Sequence, residues 1–427
     1  MIAPALRERA VATAVATMET LRDRERLADR KIAHPITGRP EVPWTPHSLD
    51  HGDIGLAVAC AAFDELWPDG GWDVAGRTFV RAAIQAGYPH SPTSLFGGVA
   101  GLAFALRALS RGGERYPTAI GRVEAVLFAR VEAFVDALPS AGGLAEADFD
   151  VISGLAGTAA HLVTAAPYSP PAARLLERIM TRFTAWADER EPLGFWTPPE
   201  RVGAFEREYT PQLRAGYLNL GVAHGIAGVL GAACLAHLSG RCDLDLRPLI
   251  SSLAGRLCAA VRTTPWGADI PYHEGPQATG PTRTAWCYGN PGVARMLQLA
   301  ARCCDRPEWE AVGAALLRDA LARDAEARNI ASTSFCHGAA GMVHLLRRFL
   351  EDAAEPDPVL AGHLERELAE LLDRYDPAAR FGYRDLHPHA GPQDHPGLLE
   401  GAAGVAAVLA AFGSDTPMLW ERAFLTG

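Results

Sequence analysis

Apolar residues recur along this chain in two alternating textures. One is a short run of small apolar residues almost free of charge, as in GLAFALRAL, GVARMLQLA and GAAGVAAVLAAF. Such runs are apolar nearly all round, so they predict helices buried on both sides. The other is longer and amphipathic, as in YPTAIGRVEAVLFARVEAFVDAL and VLAGHLERELAELLDRY, with apolar residues at helical spacing and charges between them. Strand-like alternation is scarce.

A glycine pair, Gly-x-x-Gly, opens each run of the first kind. The pairs are Gly52/Gly55, Gly98/Gly101, Gly154/Gly157, Gly225/Gly228, Gly289/Gly292, Gly338/Gly341 and Gly401/Gly404. One such pair is a weak signal, but seven, each opening an apolar run, are an internal repeat. Each unit predicts one small apolar helix after the glycines and one amphipathic helix before the next pair. Glycine lets the backbones of neighbouring helices approach closely. The arrangement that satisfies this is all-α: a double ring, or α/α toroid, of seven inner and seven outer helices, spanning residues 1–427 as one domain. An open helical solenoid is the alternative. Two stretches break the pattern, Glu191 to Leu218 and Thr263 to Thr284, both rich in Pro, Gly and aromatic residues. They predict long loops or a small insertion, of the kind that often carries function.

Composition narrows the field. The hydrophobic share of 48% and charged share of 21% suit a large packed core and exclude global disorder. The net charge is −10, and Lys31 is the only lysine, so no basic footprint for nucleic acid is present. No run approaches the roughly 18 to 20 apolar residues of a membrane span. The first thirty-odd residues read as an amphipathic helix without a signal-peptide core, so the expectation is a cytoplasmic protein. Eight cysteines in so long a chain are no disulfide framework. Most sit in apolar runs and read as small core residues.

If every inner helix starts at its glycine pair, the residues just before the pairs converge at one end of the ring. The position before the first glycine holds His51, Gly97, Ser153, His224, Tyr288, His337 and Glu400; one residue earlier stand Cys287 and Cys336. Cys287, Cys336 and His337 suit zinc: two thiolates and one imidazole, with a fourth position open as in catalytic sites. Two thiolates neutralise the ion, so a third, substrate thiolate held there would stay nucleophilic, its pKa lowered from about 8.5. The plain alternative is that both cysteines are core residues. His224 is a candidate acid or base, or a histidine bonded to backbone at a helix end. Asp150 could orient His224, or cap the helix in DFDVISGLAG. Arg283, four residues before Cys287, could hold a substrate carbonyl or carboxylate. The remaining histidines, among them His34, His90, His161, His344, His389 and His395, read as surface or packing residues.

Taken together, Asn-Leu-Gly-Val-Ala-His224-Gly-Ile-Ala-Gly, Trp286-Cys287-Tyr288-Gly289-Asn290-Pro291-Gly292 and Cys336-His337-Gly338 resemble the three signature motifs of the LanC family, the lanthionine cyclases of class I lanthipeptide (lantibiotic) biosynthesis. The resemblance extends to SLFGGVAG and LLEGAAG and so covers most of the chain. It implies a double ring of helices, zinc on Cys287, Cys336 and His337, and an acid/base role for His224 with Asp150 as its partner. The Arg four residues before the first zinc cysteine and the Tyr after it match Arg283 and Tyr288. Family members can carry a small SH2-like extension, and the stretch about 191–218 lies in a comparable place. The implied reaction is addition of a peptide cysteine to dehydroalanine or dehydrobutyrine in a dehydrated precursor peptide, leader plus core. Either His224 or a water on the metal protonates the product enolate. Implied partners are a lanthipeptide dehydratase and a transporter, through which the chain would reach a membrane. Two other functions share the motifs or the shape: glutathione addition to dehydroamino acids in proteins, and a non-catalytic peptide scaffold.

Overall fold

The glycine pairs mark the starts of a set of parallel helices. In the computed structural model, which describes the chain except for Met1 and residues 28–31, 34–39, 42–43, 89–90, 142, 190–192, 275–279 and 388–390, these are Asp53–Leu66, Val99–Leu109, Leu155–Ala165, Ile226–Leu238, Asn290–Cys304, Ala339–Asp352 and Ala402–Ala410. Every residue of Leu155–Ala165 and of Ala402–Ala410 is buried, as an all-apolar surface requires. The second glycine of each pair is needed for close approach. A Cβ on Gly157 or Gly341 would lie 2.0 Å from the carbonyl oxygen of Val151 or Phe335, and the same clash recurs at the other five. That closeness lets the loop before each helix fold back over its first turn.

Each inner helix touches the next, and Ala402–Ala410 touches Asp53–Leu66, so the ring closes and is not an open solenoid. Outer helices Trp72–Gln85, Pro117–Ala137, Pro170–Asp188, Arg247–Ala260, Pro307–Ala322 and Pro358–Asp373 each pack on the inner helix that precedes them. Their stripes are narrow: Ile120, Val123, Leu127, Val131 and Val135 face inward along Pro117–Ala137. The last inner helix has no outer helix after it. Pro4–Leu21, the N-terminal helix, packs there and completes the outer ring.

A belt of backbone hydrogen bonds ties the loops above the inner helices into one circle. Leu49 N–H donates to Phe96 (2.8 Å), Phe96 to Ile152 (3.3 Å), Val151 to Ala223 (3.1 Å) and Val222 to Cys287 (2.9 Å). Cys287 N–H donates to Cys336 (3.3 Å), Cys336 to Leu399 (2.9 Å), and Leu398 to Asp50 (2.8 Å), which returns to the start. Residues far apart in sequence are thereby held side by side by backbone hydrogen bonds.

The two irregular stretches carry or border four of the eight short strands among the described residues. Among the described residues there are four two-stranded antiparallel pairs. The stretch about 191–218 folds as a short helix, Ala204–Tyr209, between two 3₁₀ turns, closed by pairing of Thr197 with Tyr217. Its described part holds no SH2-like sheet. The second stretch forms the hairpin Arg262–Thr264/Gly267–Asp269, and its His273–Glu274 pairs with Leu218–Asn219. His34, His90 and His389 lie outside the described residues, as do Lys31 and positions 191–192 and 275–279 of the irregular stretches.

The C-terminal segment fills the bore. Phe424 packs on Phe335 (ring centroids 4.0 Å apart), Trp286 (5.4 Å) and Phe96 (5.8 Å), and its carbonyl accepts from Trp286 Nε1 at 3.0 Å. Trp286 and Phe335 directly precede Cys287 and Cys336, so this plug is the floor beneath both cysteines. Phe424→Ala is expected to cost about 3–5 kcal/mol of stability, as truncation of a fully buried phenylalanine does. Chemical denaturation measures it; a cost under about 1 kcal/mol would show that the bore repacks without the ring.

Candidate functional site

The converging loops put seven chemistry-bearing side chains at one mouth of the ring. Cys287 and Cys336 are neighbours because their loops are hydrogen-bonded in the belt. With His337 they form a group whose ligating atoms all lie within 4.8 Å of one another, one that can hold a metal ion. A tetrahedral zinc with sulfur ligands at about 2.3 Å needs ligand separations near 3.8 Å, so a small adjustment suffices. Both cysteines are buried, at 5% and 8% exposure, and are free thiols. The thiol of Cys336 hydrogen-bonds to Cys287, and this, with the Arg283 and His224 charges, outweighs burial and draws the Cys287 thiol down to about 7. Cys336, whose proton is shared, is pushed up. The pair thus gives up its first proton readily, and a cation bound between the sulfurs would be needed to draw off the second. Among the described residues the group has three members, and Glu400 stands behind it, 3.8 Å from His337 Nδ1.

On one side of this group lies an imidazole–carboxylate pair. His224 Nδ1 meets Asp150 Oδ2 at 2.6 Å, with Asp150 2% exposed and His224 37% exposed. Asp150's other oxygen, Oδ1, accepts from the backbone N–H of Ser153 and Gly154, both at 2.7 Å. Capping and orientation, the two readings of Asp150, are thus both present, one on each oxygen. Burial alone would lower the pKa of His224. The hydrogen bond to Asp150 and the charges of Asp150, Glu146 and Cys287 outweigh it and raise it to about 9.

Tyr288 stacks on His224, centroids 6.2 Å apart and planes 29° from parallel. Arg283 sits on an anchored loop: its N–H donates to Tyr272 Oη at 2.7 Å, and neighbouring Thr282 is anchored to buried Asp269, which pairs with Arg323 at 2.8 Å. The Arg283 charge acts on Cys287 and His337. All seven expected residues therefore share this mouth.

Two residues enter that sequence reasoning did not single out. Glu146 and Asn219 line or support the wall beside His224. Further round the ring stands a second pair, His51 Nδ1 to Asp50 Oδ2 at 2.7 Å, with His395 edge-on to His51. His161, His344 and His395 are buried packing residues, as expected; burial lowers the first to about 3 and the last to about 4.

The sequence model for lanthionine synthetase C-like proteins matches residues 43–425, which is nearly the whole ring. The chain belongs to the LanC-like family. Among curated proteins, the nisin biosynthesis protein NisC of Lactococcus lactis subsp. lactis is 23% identical over 351 residues, covering 78% of this chain and 77% of that one. Among solved structures, a nisin cyclase superposes with a TM-score of 0.74 at 18% identity, covering 89% of this chain and 92% of the other. The LanC-like double ring is therefore shared at low identity. Among the described residues no helix is long and apolar enough to cross a membrane.

Proposed function

We propose that this LanC-like chain is a zinc-dependent lanthionine cyclase acting on a dehydrated precursor peptide, and that residues 1–427 work as one domain. The observation that carries the reading is the three-ligand group Cys287, Cys336 and His337 set beside the Asp150–His224 pair at one mouth of a closed ring. The relatives, named for nisin biosynthesis and cyclisation, support it. Zinc, when bound, supplies a Lewis acid that brings a peptide cysteine to its thiolate form at neutral pH.

The reaction adds S–H across a C=C bond. The cysteine sulfur bonds to Cβ of dehydroalanine or dehydrobutyrine, the π pair moves onto the adjoining amide as an enolate, and Cα takes up a proton. No oxidant or reductant enters. Arg283 lies where a guanidinium can hold the carbonyl oxygen as charge develops. His224 uses Nδ1 on Asp150, which leaves Nε2 to deliver the proton to Cα. Tyr288, stacked on the ring, restricts its rotation. The decisive experiment is incubation with a dehydrated candidate precursor followed by thiol alkylation and mass measurement. Thiols that stay fully alkylatable in the presence of zinc-loaded enzyme would overturn the reading.

His224→Asn is expected to retain one zinc per chain and its fold while slowing thioether formation by about 10²-fold, the lower end of acid/base contributions. Elemental analysis and a cyclisation time course check both halves. Zinc loss would make His224 a ligand, and an unchanged rate would remove it from proton transfer.

A further inference from the structure

A cavity of about 480 Å³ opens beside His224, with one wall formed by the irregular stretch from Arg201 to Tyr217. Glu146 lies in it, half-buried, one helical turn before Asp150, whose N–H donates to the Glu146 carbonyl at 2.9 Å. Two carboxylates from a single turn therefore flank the imidazole. The Glu146 side chain accepts from Asn219 Nδ2, and that same nitrogen donates to Tyr288 Oη at 2.9 Å. Asn219 Oδ1 accepts from Gly221 N–H at 2.9 Å, so the amide cannot turn over without losing a bond. Tyr217 also hydrogen-bonds Glu146. The result is a continuous bridge, Glu146–Asn219–Tyr288, ending on the ring that stacks against His224.

We propose that Glu146 is a positioning residue for His224, acting on it through its charge and through the Asn219–Tyr288 bridge. This rests on the cyclase reading, in which His224 is the proton donor. The groups facing His224 are Asp150, Glu146, Glu206, Tyr217, Tyr288, Cys287 and Arg201, the last paired with Asp148 at 2.6 Å. Of these, Asp150 is already spent on Nδ1 and the cap. Burial, opposed by His224 and by hydrogen bonds from Asn219 and Tyr217, moves the Glu146 carboxyl up to about 7. Glu146 thus gains its charge as pH rises through neutrality, in the interval where an ordinary histidine gives up its proton. A carboxylate ionising there keeps the neighbouring imidazolium protonated toward higher pH.

The test reads His224 directly. Imidazole NMR titration of the zinc-loaded enzyme without substrate, with His224→Asn assigning the signal, is expected to show the midpoint falling in Glu146→Gln and returning at least partly in Glu146→Asp. In cyclisation assays the Gln variant should match wild type within about twofold at pH 6 and fall roughly 3- to 10-fold behind at pH 8.5, because its carbonyl oxygen can still accept from Asn219 and only the charge is lost. Tyr217→Phe, which weakens the Glu146 anion while keeping it, should lower the same midpoint and serves if the Gln variant does not fold. An unmoved midpoint, or a loss equal at both pH values, overturns the proposal. Failure of every variant and of wild type to cyclise counts against the cyclase reading alone, since the titration needs no substrate.

Discussion

Cys336→Ala is expected to leave a folded ring with at most a trace of zinc and no detectable thioether formation. The group has three protein donors, so losing one leaves Cys287 and His337, too few to hold zinc against water and buffer. Loss of an outer-shell partner already lowers metal affinity 10- to 100-fold, and loss of a ligand exceeds that. The fold should persist, because the cysteine loops are held by the backbone belt and by Phe424 beneath them, neither of which uses the thiol. Metal analysis after dialysis, beside a thermal melt, separates the two effects. Undiminished zinc in the folded variant would refute the assignment of Cys336 as a ligand, and collapse of the melt would make the metal structural.

Much of this site was legible because the repeat does the geometry. Once seven glycine pairs start seven parallel helices, the residue before each pair must face the same mouth, and Cys287, Cys336, His337 and His224 follow from counting. The second glycines explain why the count works, since only a residue without Cβ admits the carbonyl of the loop six positions earlier. What escaped depends on contacts that have no period. LWERAFLTG follows the last glycine pair as an unremarkable apolar tail, yet Phe424 fills the bore and Thr426 Oγ1 meets buried His344 at 2.8 Å. The N-terminal helix showed its amphipathic face but not its place, which is set by a gap left at the other end of the chain. Glu146 was hidden in LAEADFD, where an acid before a turn reads as solvated. Asn219 reaches it from a loop held by the ring's backbone belt and by the pairing of Leu218–Asn219 with His273–Glu274.

Asp150→Asn is expected to slow thioether formation by about 10- to 100-fold with a melting temperature within about 3 °C of wild type. Asn caps a helix about as well as Asp, so the bonds from Ser153 and Gly154 to Oδ1 survive the change. The other half of the carboxylate does not. An amide NH₂ facing His224 Nδ1 cannot accept the ring's N–H, so the imidazole either turns away or shifts its proton to Nε2 and stays neutral. The charge that favours imidazolium is lost in the same step, and the pKa of about 9 falls toward the ordinary 6.5. The rate should therefore suffer most above neutral pH, where wild type keeps its proton and the variant has shed it. In serine-protease triads the corresponding change lowers turnover by roughly 10⁴, but there the histidine must also create the nucleophile. In the proposed cyclase the thiolate does not depend on the histidine, so only the proton delivered to Cα is at stake. The measurement is the cyclisation rate of the variant against pH beside its melting curve. A rate equal to wild type across the range would leave Asp150 with the cap alone.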